Sequence, residues 1–489
     1  MGIVQRQSLI NTIITYFGFA IGAVNILFLY TKFLTDEYHG LVAFTISTAN
    51  IMMPLFALGV HNAIVKFYSS FKTRNNINSF LTLMLILPLF IIVPVGFIGY
   101  MSFDFISSLL SKENTIIKDY VWLIFVAAIC LSYFEVFYSW AKVHMQSVFG
   151  NFMKEVFHRV GVLLLFFAIY LNWIDVNQFI YGVVVVYVIR TIVMMFYAFG
   201  VRRPVLRFGN VPNLSAILKY AFLIIIAGSI GGVILEIDKF MIGELKAIQN
   251  VAYYGVAIYI AMVIGVPARS MHQITNPITA KLLNDNDNKA LGILYKKSSL
   301  NLFIISGFIF LLIVLNINQL YIIIPEQYSG GLLVVFIVGI AKLTDNIIGN
   351  NNAILFNSDY YRVVLVLGVL LAIITVILNL VLIPQYGING AAIATFISIF
   401  VYNTAKVIFV YFKFKMSPFS MSTAKTLGLI MVLMATFYFW EFSFHPLINI
   451  GLKSILVSIC YGLVVYFLNF SEDITVILDK VLKGLSKNK

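Results

Sequence analysis

Charged residues are scarce in this sequence. Of its 489 residues, 11% are Asp, Glu, Lys or Arg and 61% are hydrophobic. Soluble domains carry about 25% charged residues, so the composition excludes an ordinary water-soluble protein. In lipid the backbone must satisfy its own polar groups, in helices or in a closed barrel.

Cysteine and nucleotide-binding motifs are also nearly absent. The two cysteines, Cys130 and Cys460, both lie inside apolar runs. They provide neither a disulfide framework nor a metal-binding spacing. The chain has no Walker A pattern, which argues against direct use of ATP. We therefore predict no cofactor and no metal ligands, with a Na⁺ or H⁺ gradient as the candidate energy source.

The apolar runs predict helices rather than barrel strands. Barrel strands would show alternation over about ten residues, whereas the run 364–383 is interrupted only by Thr375 and Asn379. About 20 residues are needed for a helix to cross the hydrocarbon core. We predict an all-α integral membrane protein with about 14 transmembrane helices. The predicted spans are about 9–31, 39–64, 80–103, 119–141, 155–171, 178–199, 220–237, 250–272, 298–316, 329–353, 361–383, 388–412, 422–440 and 449–469.

The net charge of +13 comes mostly from loops beside these spans. Alternate loops hold about 24 and about six Lys and Arg residues. Because basic loops stay in the cytoplasm, this asymmetry places both termini there. It also explains the positive charge without nucleic acid, which we do not expect as a partner. The N-terminal apolar run is interpreted as an uncleaved first span.

One polar segment divides the chain. The connector, 201–219, has Arg202, Arg203, Arg207 and Lys219, no acidic residue and two prolines. We predict an N-terminal lobe of six helices in 1–200, this cytoplasmic connector, a C-terminal lobe of six helices in 220–415, and two further helices with a cytoplasmic tail in 416–489.

The two lobes share an internal repeat. Short motifs recur at offsets of 207 to 215 positions, and six spans per lobe make both lobes enter the membrane in the same direction. Parallel repeats of this kind place a substrate site at their interface. The matching pairs are Gly18-x-x-x-Gly22 with Gly228-x-x-x-Gly232, Tyr38-His-Gly40 with Tyr253-Tyr-Gly255, Pro54 with Pro267, and Leu171-Asn172 with Leu378-Asn379.

Three stretches resemble the polysaccharide-export branch of the multidrug/oligosaccharidyl-lipid/polysaccharide exporter superfamily. They are Phe33-Leu-Thr-Asp-Glu-Tyr-His-Gly40, Glu236-Ile-Asp-Lys-Phe-Met-Ile-Gly243 with Val251-Ala-Tyr-Tyr-Gly255, and Leu378-Asn-Leu-Val-Leu-Ile-Pro-Gln-Tyr-Gly-Ile-Asn-Gly-Ala-Ala-Ile-Ala-Thr395.

The resemblance implies a Wzx-type flippase. Such a protein moves undecaprenyl-pyrophosphate-linked oligosaccharide, the repeat unit of O-antigen, capsule or exopolysaccharide, across a bacterial inner membrane by alternating access. Its partners would be the lipid-linked glycan and the bilayer, with the polysaccharide polymerase machinery as a further candidate. It would be a transporter and not an enzyme.

Charges inside the spans are the candidate site residues, because each costs about 2.5–3.5 kcal/mol on insertion and usually faces a cavity. The basic candidates would line a cationic central cavity that binds pyrophosphate, Arg through its fork of donors and Lys as a point charge. Snorkelling to the headgroups is the alternative interpretation. The predicted substrate-binding residues are Arg190, Lys342, Arg269 and Lys406.

Three more charged residues are assigned to coupling or gating. Glu135 lies at the repeat position of Lys342 and is predicted to pair with it. Asp238 and Lys239 lie where the seventh span meets the outer face, where they would pair with each other, cap a helix or couple transport to an ion.

Other functions stay open. A cation-coupled multidrug exporter would need a buried carboxylate, and the first span offers Asn25 but no acid. A lipid II flippase has the same headgroup chemistry and is not excluded. A membrane-bound glycan polymerase or ligase usually has a large outer loop with catalytic residues, and the longest outer loop, about 104–118, lacks such a cluster.

Overall fold

The computed structural model describes residues 3–227, 230–476 and 479, and all regular secondary structure in this part of the chain is helical. The repeat motif that begins at Gly228 falls partly outside the described residues. Two compact units are present. Unit 1 comprises Met1–Gly255 and Asn379–Ile388, and unit 2 comprises Val256–Leu378 and Asn389–Lys489.

Unit 1 contains the predicted N-terminal lobe and the helices that follow the connector. The lobe boundaries at 200 and 220 are inferred from the internal repeat, and they stay a prediction. The helices are α1 (Ile3–Ala23), α2 (Tyr30–Phe33), α3 (Asp36–Phe56), α4 (Val60–Phe67), α5 (Arg74–Ile86), α6 (Leu89–Met101), α7 (Phe103–Leu110), α8 (Val121–Lys142), α9 (Val148–Phe152), α10 (His158–Tyr170), α11 (Val176–Val201), α12 (Leu214–Ala227), α13 (Ile230–Leu245) and the first half of α14 (Gln249–Met262).

Unit 2 begins inside α14 and contains most of the remaining helices. In α19 the backbone leaves helical geometry at Gly387, where φ is 58° and ψ is −135°, so two consecutive spans meet at this kink. The helices are α15 (Val266–Asn284), α16 (Asn288–Ile323), α17 (Leu332–Asn346), α18 (Asn351–Asn357), α19 (Tyr361–Phe414), α20 (Met421–Phe437) and α21 (Pro446–Phe467).

Local sequence explains where several helices begin. Thr35 accepts a hydrogen bond from the Tyr38 backbone N–H at 3.5 Å, and Asp36 and Glu37 occupy the first turn of α3. A side-chain acceptor and early acidic residues both satisfy the positive end of a helix. Asp175 and Gln178 form a reciprocal capping box at the start of α11.

Each unit has its own apolar core. In unit 1, Phe80, Phe134 and Trp140 are fully or almost fully buried in one cluster. In unit 2, Phe303 and Phe310 pack with Val457 of α21. The described residues include ten helical stretches long and apolar enough to cross a membrane, and two shorter apolar helices, Leu214–Ile225 and Met421–Phe437. The all-α membrane class is therefore confirmed, whereas the exact count of 14 spans is not.

Candidate functional site

Arg190 is a buried cation inside unit 1. It lies on α11, is 4% exposed, and its guanidinium sits 4.2 Å from the ring centre of Phe134 and 4.7 Å from that of Tyr187. Aromatic faces stabilise a guanidinium without occupying its N–H donors. The Nε atom has no hydrogen-bond partner among the described residues. Arg190 therefore keeps donor capacity for an anion.

Arg159 is a second cation beside Arg190 that the sequence did not reveal as a site residue. Its Nη1 donates to the Glu155 carbonyl oxygen at 2.8 Å and lies 3.4 Å from the Glu155 carboxylate. Both arginines interact electrostatically with His158 and Tyr187. Arg159 lies near the start of the predicted fifth span, 155–171, and is not among the predicted site residues. The i,i+4 spacing from Glu155 was the available signal.

Glu135 is paired within unit 1. Its Oε1 lies 2.5 Å from Lys154 Nζ, and the Lys154 side chain is 44% exposed. Lys142 and His61 also interact electrostatically with this carboxylate. Its predicted pairing with Lys342 stays a prediction, and the carboxylate already has another counter-ion.

Two π-helical segments support this group of charges. Lys154 and Glu155 belong to the segment Met153–Phe157, and Asn25 belongs to the segment Val24–Leu29. Asn25 Nδ2 donates to the Arg159 carbonyl oxygen at 2.8 Å, which links the segment Val24–Leu29 to the first turn of α10, directly after the segment Met153–Phe157. Extra residues inserted into a helix are frequent at functional sites because they redirect side chains.

Asp238 and Lys239 each have other partners, and their mutual pairing stays a prediction. Asp238 is fully buried and accepts hydrogen bonds from Tyr254 Oη at 2.6 Å and Asn379 Nδ2 at 2.7 Å. Lys239 Nζ lies 2.9 Å from Glu236, which also accepts from Ser47 at 2.6 Å.

Lys406 is the buried cation of unit 2. It is 0% exposed, and its Nζ donates to Asn352 Oδ1 at 2.9 Å and lies 4.0 Å from the ring centre of Tyr402. Asp345 interacts electrostatically with Lys406 and accepts a hydrogen bond from Asn403 at 3.3 Å. Its neutral and anionic neighbours hold Lys406 inside the helical bundle, so snorkelling does not describe its position.

The remaining two basic candidates are less buried. Lys342 on α17 is half-buried, with its aliphatic stem beside Gly265. Arg269 on α15 is exposed and has a partner of its own. His272, three residues after Arg269, interacts electrostatically with Asp345 and Lys406. The structure thus brings Lys406, Asp345 and His272 together, two of which the sequence analysis had not assigned to the site.

The predicted tenth span is broken rather than continuous. Helix α17 ends at Asn346 and α18 begins at Asn351, with Gly349 at φ 51° between them. Asn346 donates to the Ile264 carbonyl oxygen at 2.9 Å and to Ser306 at 2.6 Å. Asn351 donates to Tyr295 at 2.6 Å. Discontinuous helices at membrane depth are typical of transporter binding sites.

Comparison with known proteins supports the same interpretation of the fold. Residues 233–327 match the MatE family model. The structure of the lipid II flippase MurJ in an inward closed conformation has a TM-score of 0.72 and 16% identity, covering 95% of this chain and 100% of MurJ. No curated protein sequence matches this chain significantly.

Multidrug transporter structures are also similar. An inward-facing multidrug resistance MATE family transporter of the MOP superfamily has a TM-score of 0.58 and 14% identity, covering 85% of this chain and 95% of the other. The Vibrio cholerae MATE transporter VcmN in the bent form has a TM-score of 0.56 and 14% identity, covering 88% of this chain and 100% of the other. The chain therefore has the fold of MurJ and MATE transporters of the MOP superfamily, with a MatE segment at residues 233–327.

Proposed function

We propose that this protein is a flippase that moves an undecaprenyl-pyrophosphate-linked oligosaccharide across the bacterial inner membrane by alternating access. The observation that carries the proposal is Arg190, a buried residue whose Nε has no hydrogen-bond partner among the described residues, accompanied by Arg159. A diphosphate accepts the parallel N–H bonds that a guanidinium offers. An organic cation would be repelled by the same group.

Two basic residues of unit 1, Lys154 and Arg159, have carboxylate counter-ions. Glu135 neutralises Lys154, and Glu155 neutralises Arg159. A diphosphate that enters this region can replace those carboxylates as the anionic partner. This exchange of one anionic partner for another limits the desolvation cost of binding, because the two cations are already paired and partly buried.

Coupling to an ion gradient is assigned to Asp238, Lys239 and Glu135. Asp238 is fully buried and accepts hydrogen bonds from Tyr254 and Asn379. A carboxylate in such surroundings is suited to exchange a proton or Na⁺ during a transport cycle. This assignment places the driving ion in unit 1, where the Arg190 cluster also lies.

Lipid II is the second candidate substrate, because the similar MurJ structure is that of a lipid II flippase. It presents the same diphosphate to the protein, so the buried cations alone do not separate the two substrates.

The experiment introduces Arg190→Ala and Lys342→Ala separately into cells that make the surface glycan. Arg362→Ala, at an exposed position, is the control. We expect surface glycan to fall at least about tenfold in Arg190→Ala, since loss of a charge-assisted bond in a buried site exceeds about 1.4 kcal/mol. Membrane levels of all three variants are followed by immunoblotting.

The cell phenotype then identifies the substrate. Loss of surface glycan with an intact cell wall supports the polysaccharide substrate. Lysis with loss of cell-wall synthesis supports lipid II. Normal glycan export and normal wall synthesis in both variants would contradict the cationic binding site.

A further inference from the structure

The connector is held as a fixed strap on unit 1. Arg202 donates from Nη1 to Tyr68 Oη at 2.7 Å and from Nη2 to Asn78 Oδ1 at 3.0 Å. Its carbonyl oxygen accepts from Trp140 Nε1 at 3.3 Å. The first residue after α11 is therefore tied to α8, to α5 and to the segment after α4.

A second set of bonds fixes the middle of the connector along α5. Thr82 Oγ1 donates to the Val205 carbonyl oxygen at 3.1 Å and accepts from the Arg207 backbone N–H at 3.0 Å. Arg207 Nη1 donates to Asn75 Oδ1 at 2.6 Å. Because the Val205 carbonyl and the Arg207 N–H are both bonded to α5, this stretch behaves as part of the fold rather than as a free linker.

The fixed strap nevertheless displays large apolar side chains. Phe208 is 82% exposed and Leu206 is 69% exposed, and Val205 is also exposed. A free linker would not hold these apolar side chains in one place. The hydrogen bonds to α5 hold them there. Apolar side chains next to basic ones are typical of segments that lie in a membrane interface.

The charge around these side chains has one sign. The basic patch comprises the exposed residues Lys66, Lys72, Arg74, Arg203, Arg207 and Lys219. The stretches 60–82 and 201–220 contain no Asp or Glu. Such a surface attracts anions and is not neutralised by its own sequence neighbours.

The flanking helices indicate which anion is available. Phe196 on α11 and Phe222 on α12 are 66% and 62% exposed in these apolar helices, as expected of side chains that face lipid. The connector joins the ends of the two helices, so its exposed groups lie at the height of the headgroups. We propose that the basic patch, with Leu206 and Phe208, binds anionic phospholipid headgroups of the adjoining leaflet.

In this arrangement the guanidinium and ammonium groups contact lipid phosphates, and the two apolar side chains enter the boundary between headgroups and acyl chains. The bound leaflet then fixes the strap and, through Thr82 and Asn78, helix α5. The inference is independent of the transported substrate, because the lipids involved are those of the surrounding membrane.

The first test measures lipid retention. The full-length protein is placed in nanodiscs of phosphatidylcholine with a minor fraction of spin-labelled phosphatidylglycerol, and the immobilised fraction is recorded. We expect affinity for the labelled lipid to fall roughly fivefold per removed cation in Arg203→Ala/Arg207→Ala/Lys219→Ala, since each basic residue near the surface contributes about 1 kcal/mol. The matched control removes three exposed lysines of unit 2, Lys281, Lys289 and Lys296.

The second test measures depth. Phe208→Trp is compared with Pro212→Trp, another exposed connector position, using phosphatidylglycerol brominated near the headgroup as the quencher. The fluorescence of the parent protein is subtracted. We expect stronger quenching and a blue shift for Phe208→Trp.

Equal lipid loss in the two triple variants, or a water-exposed and unquenched tryptophan at 208, would overturn the proposal. Capture of an acidic protein by the patch with no change in lipid retention would do so as well, and would assign the surface to a protein partner. Neither readout needs transport, so failure of the proposed function leaves both tests valid.

Discussion

At the residue scale, three carboxylates in the described part of unit 1 have basic partners. Glu135 is paired with Lys154, Glu155 with Arg159, and Glu236 with Lys239. Arg190 differs because its direct contacts are aromatic faces, while Glu135 and Glu155 interact with it electrostatically and form no ion pair with it among the described residues. This arrangement is the basis for our proposal that Arg190 binds an anion.

The identity of the Glu135 partner can be tested by charge reversal. Glu135→Lys and Lys154→Glu should each lower the melting temperature in detergent, and the double variant should recover part of the loss. The expected coupling energy is about 1 kcal/mol or less, because the Lys154 side chain is 44% exposed and screened.

The same charge reversal between Glu135 and Lys342 tests whether Lys342, rather than Lys154, is the functional partner of Glu135. If Glu135 acts with Lys342 during transport, Glu135→Lys/Lys342→Glu should restore more glycan export than either single variant. Strictly additive losses in that pair, with recovery in the Lys154 pair, would leave Lys154 as the functional partner.

Arg190 offers a test of geometry as well as charge. Arg190→Lys keeps a positive charge but loses the planar fork, so we expect export between that of the parent and that of Arg190→Ala. Export by the Lys variant equal to that of the parent would show that charge alone suffices. Thermal melting of each variant controls for the lost stacking on Phe134 and Tyr187.

At the element scale, the break between α17 and α18 depends on a single glycine. Gly349 adopts φ 51°, and a Cβ there would lie 2.5 Å from the Ser299 backbone nitrogen. Left-handed backbone conformation costs an L-residue roughly 1–2 kcal/mol, and the clash adds to that cost. Glycine is therefore required at position 349 for two reasons, the positive φ and the lack of room for a Cβ atom.

Two other glycines separate these contributions. Gly387 has φ 58° with open space around its Cβ position, and Gly428 has open space without positive φ. We expect the melting temperature to fall most in Gly349→Ala, less in Gly387→Ala, and least in Gly428→Ala. A fall in Gly387→Ala as large as in Gly349→Ala would show that packing against Ser299 contributes little.

At the scale of the whole molecule, the orientation set by basic loops remains to be measured. Ser215 lies in the predicted cytoplasmic connector and is exposed, as is Ser443 between α20 and α21. In a background with Cys130 and Cys460 replaced, Ser443→Cys should react with an impermeant maleimide added to intact cells. Ser215→Cys should react only after the membrane is opened. Labelling of Ser215→Cys from outside would reverse the topology.

The fold was largely predictable from sequence, because lipid forces each apolar run of sufficient length into a helix. The tenth span departs from the prediction because it is interrupted at Gly349. The predicted boundary between the spans 361–383 and 388–412 coincides with the kink at Gly387. A turn inside a membrane is possible only where other helices satisfy its polar groups. For Asn346 these groups are the Ile264 carbonyl and Ser306.

The candidate site was predictable only in part. A charge in an apolar run marks Arg190 and Lys406 from the sequence alone. The sequence does not show which residues surround these two cations. Asn352 lies 54 positions before Lys406, and Phe134 lies 56 positions before Arg190. Arg159 was missed because a residue near the end of a predicted span is assigned to the loop by default.

By itself the sequence determined the membrane class, the helical secondary structure and the positions where charge enters the apolar segments. These properties depend on composition and on contacts within a few residues. The tertiary structure decided which carboxylate each cation contacts, where a span breaks and how the connector is held. Those outcomes depend on side chains far apart in sequence, such as Arg202 and Tyr68, which are separated by 134 positions. Only packing brings them within hydrogen-bonding distance.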